Sequence, residues 1–287
     1  MRGMELQFWL VTTNHLEDRI WFKDDEDFKA AMNIVAVLST AAGVHVISFI
    51  LMSNHVHFIL ACKKGPAEGF ITRFKKLYSQ YYSNKYGSCA MLHGNDVDYR
   101  QLQIGDESLE RGIAYVIMNC VAANICLNPT AYPWGSGNCF FRVGPCGSSR
   151  IKDLSGRARA RLLHSRLPVP GDYILDERGF VDPVSYIPVK FVESVFRTPK
   201  RMNWFLQNSS KAKRISQTPS FNDQLISAAV RDLSISLFRK PCVDMLDETQ
   251  KAELLRQIRY RFSSDPAQIA RVCSLSYEDV CHLLESI

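Results

Sequence analysis

Two apolar runs meet at Ser53-Asn54. Val44 to Met52 and His55 to Ala61 are both rich in β-branched and aromatic residues, and only a short polar dipeptide separates them, so the pair predicts a β-hairpin. Alternation along its second strand sends His55 and His57 to one face and Val56, Phe58 and Leu60 to the other. With the apolar trio as the core face, two imidazoles stand on the opposite face about 6.6 Å apart along the strand. That separation lets both reach one divalent ion. The same pattern also arises in ordinary packing, and the pair alone does not choose between them.

The flanking residues extend the hairpin into a domain. Residues 4–13 read as a strand. Asp24-Asp25 opens a helix running to about Thr40, with Phe28, Met32, Val35 and Leu38 on its apolar face and Gly43 after its end. Past Gly65-Pro66 a long helix runs to about Lys85, stopped by Gly87. Residues 88–106 read as irregular, and a further helix is expected from about Glu107 to Cys126. The order predicts an α+β domain over 1–143, an antiparallel sheet with packed helices. Residues 144–221 read as a basic linker and extension of no assignable fold. Residues 222–287 read as helical; Asp265-Pro266 and Ser276 to Asp279 each start a short helix, the pattern of a helix-turn-helix. Its last helix carries Glu278, Asp279 and Glu285 and no lysine or arginine, so packing or dimerisation explains it almost as well.

Charge and cysteine content narrow the function classes. Residues 150–214 hold 14 basic and 6 acidic residues, net +8 in a chain of net +6, which suits an anionic polymer or a merely solvated face. The most apolar window, Met32 to Met52, is interrupted by Asn33, Ser39, Thr40, Gly43, His45 and Ser48, so no membrane span is expected. The N-terminal residues lack the pattern of a secretory leader. The nine cysteines form no C-x-x-C pair and read as thiols of a reducing cytoplasm; a zinc site from Cys273, Cys281 and His282 has little behind it.

On the expected helix 107–126, Tyr115 and Asn119 are one turn apart and share a face. A tyrosine is a weak nucleophile at neutral pH, with a pKa of about 10. Beside a divalent cation and a phosphodiester its phenolate can attack phosphorus. Two histidines and the Asn119 side-chain oxygen suit Mg²⁺ or Mn²⁺ better than structural zinc. Packing is again the plainer reading of each residue taken singly.

Taken together, the motifs resemble a family. Phe49-Ile-Leu-Met-Ser-Asn-His-Val-His-Phe-Ile-Leu60 is similar to the signature of single-tyrosine HUH transposases, and most similar to their REP-associated branch. Ile20 to Phe28, the basic-aromatic run Arg73 to Gly87, Ala114 to Ala122 and Tyr132-Pro-Trp-Gly-Ser136 resemble further elements in the family's order, covering about residues 5–142. The resemblance implies a ferredoxin-like HUH domain that cleaves single-stranded DNA beside a hairpin, as a monomer or a homodimer. It makes His55 and His57 the metal pair, Asn119 the third ligand and Tyr115 the nucleophile that becomes 5′-phosphotyrosyl. It implies Mg²⁺ or Mn²⁺ and no organic cofactor.

Helix 66–86 carries Phe70, Phe74, Leu77 and Tyr81 at core spacing, and Arg73, Lys75, Lys76 and Lys85 as expected DNA contacts, with Tyr78, Tyr82 and Tyr86 near enough to stack on bases. The chain departs from the family at Cys120, which replaces a proline, and over Met91 to Arg100, where a Gly-Arg-aromatic element is missing and His93 is an extra histidine. Two readings follow: an active DNA nickase and strand transferase, or a structured-DNA-binding regulator with little cleavage. An RNA-hairpin binder is a third.

Overall fold

The structure, a computed structural model, describes residues 7–14, 19–41, 43–87, 92, 94–142, 147, 149–212 and 221–285. Its first part runs β1 (Phe8–Thr13), α1 (Asp25–Leu38), β2 (His45–Met52), β3 (His55–Ala61), α2 (Lys64–Tyr86) and β4 (Val97–Leu102). The strands form one sheet in the order β2-β3-β1-β4, antiparallel at every pairing. The hairpin thus places β3, with its histidines, inside the sheet. The protein is α+β.

Local chemistry accounts for most element ends. Asp24 caps α1 by accepting the Asp27 N–H, and three acidic residues fill the first turn, where the helix dipole favours them. Gly87 ends α2 at φ +87°, a conformation that costs a glycine little. The outer edge of β2 is covered rather than open: Leu51 N–H donates to the Trp134 carbonyl, and Ile50 bridges Gly135.

One face of the sheet packs on α2. Phe58 meets Phe70 and Phe74 with ring centroids 5.2 and 5.4 Å apart. The stripe continues at spacing four through Tyr78 and Tyr82, which are buried; the Tyr78 hydroxyl donates to the Trp21 carbonyl. These two tyrosines are therefore core residues and not base-stacking surfaces, whereas Leu77 and Tyr81 are only partly buried. The other face takes α3 (Ser108–Ile117).

Two expectations are corrected. Residues 97–102 form the edge strand β4 instead of an irregular stretch; most of its residues are exposed or half-buried, so it shows little hydrophobic pattern. The single helix over 107–126 is broken at Met118 into α3 and the short α4 (Asn119–Ala122). The Asn119 amide spans the break, donating to the carbonyls of Tyr115 at 2.8 Å and Val116 at 3.3 Å. Buried Cys120 directs its thiol at the Ile117 carbonyl.

The basic segment packs on this frame. α5 (Gly156–Leu163) lies against α1, where Asn33 donates to the Leu162 carbonyl and accepts the Val181 N–H. α6 (Val189–Phe196) and α7 (Pro199–Gln207) add Val192, Phe196, Phe205 and Leu206 to the main core. α7 sits on α3, tied by Arg201 to Glu110 at 3.1 Å.

The last part, α8 (Asp223–Phe238), α9 (Glu248–Phe262), α10 (Pro266–Cys273) and α11 (Tyr277–Glu285), encloses its own cluster around Ile226, Leu255, Ile258, Ile269 and Val280. Asp265 and Ser276 cap α10 and α11 as expected, each accepting a backbone N–H three residues on. Among the described residues no helix is long and apolar enough to cross a membrane.

Candidate functional site

The site begins with β3. His55 and His57 project from one face of a central strand, with α3 over that face, and only 6% and 1% of their surfaces remain exposed. Their rings meet edge to face at 4.8 Å between centroids. Each ring is oriented through Nδ1: His57 by the Thr12 hydroxyl at 2.9 Å, and His55 by the Asn54 side-chain oxygen at 2.9 Å. An amide oxygen only accepts, so the His55 Nδ1–H is the donor of that bond. A metal-binding histidine is held by the same kind of outer contact.

α3 brings Tyr115 to the same place. Its ring stands perpendicular to that of His57, with centroids 5.6 Å apart. Asn119 is buried and lines one cleft with His55. Because its amide nitrogen is turned to the helix carbonyls, its oxygen faces away from them. The four residues singled out in the sequence, from β3, α3 and α4, are therefore gathered. Two imidazoles and an amide oxygen suit a hard to borderline divalent cation, and their donor chemistry fits Mg²⁺ or Mn²⁺. Among the described residues no group of three His, Cys, Asp or Glu side chains is placed to hold a metal, which leaves the Cys273, Cys281 and His282 zinc idea without support.

The far side of the cleft comes from parts of the chain that sequence reasoning did not assign to a site. Lys211, just after α7, sits with its Nζ 4.8 Å from the centre of the Tyr115 ring. Asp223, at the start of α8, is 2% exposed and accepts from the Ser53 hydroxyl, from Gln268 at 2.8 Å and from Arg271 at 3.1 Å. Ser53 belongs to the hairpin turn that precedes His55, so the C-terminal helices are fastened next to the histidines. Lys211, Gln268 and Arg271 line the same cleft as His55 and Asn119. No local motif marks these residues.

The expected DNA-contact residues on α2 fall into two groups. Arg73 and Lys76 are exposed. Lys75 is half-buried and donates to the Asn95 carbonyl. Lys85 pairs with Asp24 at 2.7 Å and with fully buried Asp27 at 2.8 Å, while Tyr81 and Tyr86 also donate to Asp27. His93 lies outside the described residues.

Comparison with known proteins adds little. No family model matches the sequence, and no curated protein matches it either. A solved structure of a REP-associated tyrosine transposase bound to a REP hairpin overlaps 47% of this chain and 79% of its own, at 12% identity and a TM-score of 0.37. An overlap this loose establishes neither fold family nor activity.

Proposed function

We propose that this protein is a metal-dependent single-stranded DNA endonuclease and strand transferase that acts beside DNA hairpins through a 5′-phosphotyrosine on Tyr115. The β-α-β-β-α-β order with sheet order β2-β3-β1-β4 supports a ferredoxin-like HUH domain. The observation that carries the reading is the edge-to-face packing of Tyr115 on His57, on a strand whose two histidines are both oriented through Nδ1.

In the reaction, the Tyr115 phenolic oxygen attacks phosphorus and releases its proton to water. The P–O3′ bond breaks, its electron pair goes to the 3′ oxygen, and that oxygen takes a proton to become a 3′-OH. Attack of the same or another 3′-OH on the phosphotyrosine reverses the exchange, so bond energy is kept and no nucleotide cofactor is needed. His55, His57 and the Asn119 oxygen would hold Mg²⁺ or Mn²⁺, which when bound draws charge from the non-bridging phosphoryl oxygens. His57 and α3 hold the phenol ring. Exposed Arg73 and Lys76 serve as backbone contacts to the hairpin.

The test is a denaturing gel for a covalent protein–DNA adduct, using labelled hairpins with single-stranded flanks and either Mn²⁺ or Mg²⁺. The adduct is expected to require metal and to disappear in Tyr115→Phe. Metal-independent hairpin binding with no adduct on any flank would favour the regulator reading instead.

A further inference from the structure

We infer that Lys211 is a phosphate-binding positioning residue of the cleft, holding the DNA single strand against Tyr115. This rests on the nuclease reading, because it names the group that brings the scissile strand to the nucleophile. Lys211 lies far from the hairpin in sequence, yet its ammonium is 4.8 Å from the centre of the Tyr115 ring. It lines the cleft shared by His55 and Asn119.

Its position is built in from both sides. Arg201 bonds Glu110 on α3 and stacks on Phe205 at 4.9 Å, so α7 is clamped to the helix that carries Tyr115. Lys211 follows in the turn after α7, where its N–H donates to the Ser209 hydroxyl. Beside it in the cleft, Arg271 is paired with Asp223, and Asp265 caps α10.

For attack, phosphorus has to come within about 3–3.5 Å of the phenolic oxygen. An ammonium over the same ring, on a long stem with three donors, is then within direct or one-water reach of the phosphate's non-bridging oxygens. The cation–π contact helps hold the lysine there without DNA, and it is made to the ring of the proposed nucleophile.

The experiment uses the full chain in EDTA, where no cleavage competes. A fluorescein-labelled DNA hairpin with a single-stranded flank is titrated by anisotropy across a KCl series. Lys211→Gln is expected to weaken binding severalfold and to lower the slope of log K against log[salt] by about 0.7, the share of one single-strand phosphate contact. Lys211→Arg should restore both, and the melting temperature should not move. An unchanged slope in Lys211→Gln overturns the inference even if the metal-dependent adduct forms. A lowered slope with no adduct keeps the contact and removes the nuclease reading. Failure of the wild-type chain to bind DNA overturns both.

Discussion

Thr12 and His57 face each other across the β1–β3 ladder, and the Thr12 hydroxyl lies 2.9 Å from the His57 Nδ1. The contact sets the ring angle at which His57 meets Tyr115. Replacing the hydroxyl by a methyl keeps the shape of the side chain and removes that orientation. Thr12→Val is expected to lower Mn²⁺ affinity about 10- to 100-fold, the usual effect of losing an outer contact to a metal-binding histidine. Calorimetric titration with Mn²⁺ reads this directly, and a wild-type affinity in the variant counts against His57 as a ligand.

The Ser53–Asp223 contact predicts coupling between the C-terminal helices and the histidine hairpin. Asp223→Ala leaves Arg271 and Gln268 without their common acceptor in a buried place. A loss of about 2–4 kcal/mol is expected, with Asp223→Asn costing less because the side chain keeps its shape and part of its bonding. Urea unfolding followed separately by tryptophan fluorescence and far-UV circular dichroism checks it. Wild-type stability in Asp223→Ala would show that the fastening contributes nothing.

Two glycines give different outcomes for the same substitution. A Cβ on Gly135 would stand 2.7 Å from the Phe49 carbonyl oxygen and 3.1 Å from the Ile50 Cα, both backbone atoms of the β2 edge. Gly135→Ala is expected to destabilise by about 2–4 kcal/mol. On Gly112 the close atom is a Leu102 side-chain methyl, which can turn away, and helix propensity gains about 1 kcal/mol. Gly112→Ala should therefore fall within about 1 kcal/mol of wild type. Thermal melts of the two variants side by side separate a rigid from a yielding neighbour.

Lys85 predicts a pH-dependent effect. Burial raises the Asp24 pKa, but hydrogen bonding from Lys85 and from the Asp27 N–H outweighs it, and the carboxyl ends below its ordinary value. A lowered native pKa means that the stabilisation is complete above the ordinary carboxylate pKa near 4 and is lost as pH falls through the native value. Lys85→Ala is expected to lose about 1–3 kcal/mol at pH 7, discounted for the partial exposure of the lysine. The gap should narrow below about pH 4. Urea midpoints at pH 7 and pH 3 give the answer, and an equal gap at both would remove Asp24 from the account.

The elements that the sequence made legible were those with strong local patterns. The hairpin, α1 with its acidic start and α2 with its glycine stop each follow from residues in one stretch. β4 escaped because its alternation, half-buried Val97 and Tyr99 between exposed Asp98 and Arg100, is only four residues long and is lost at Gln101. The break at Met118 escaped because the groups that bridge it are the Asn119 amide and a cysteine thiol, not a proline or glycine. His55, His57, Tyr115 and Asn119 were legible through their motifs. Lys211, Asp223 and Arg271 were not, since only folding brings the remote half of the chain to the hairpin. The segment 150–212 was opaque for a related reason. Phe180, Phe196 and Phe205 are buried in a core begun by residues far earlier in the chain.

A cleft with one wall from each half of the chain also has a schedule. Asp223 leaves the ribosome roughly 100 residues after Tyr115, which is about 5–20 s of synthesis at ordinary elongation rates. During that interval the nascent chain holds its tyrosine and both histidines without Asp223 or Arg271, the pair that fastens the far side of the groove. The groove thus cannot be completed until Arg271 has also emerged, late in synthesis.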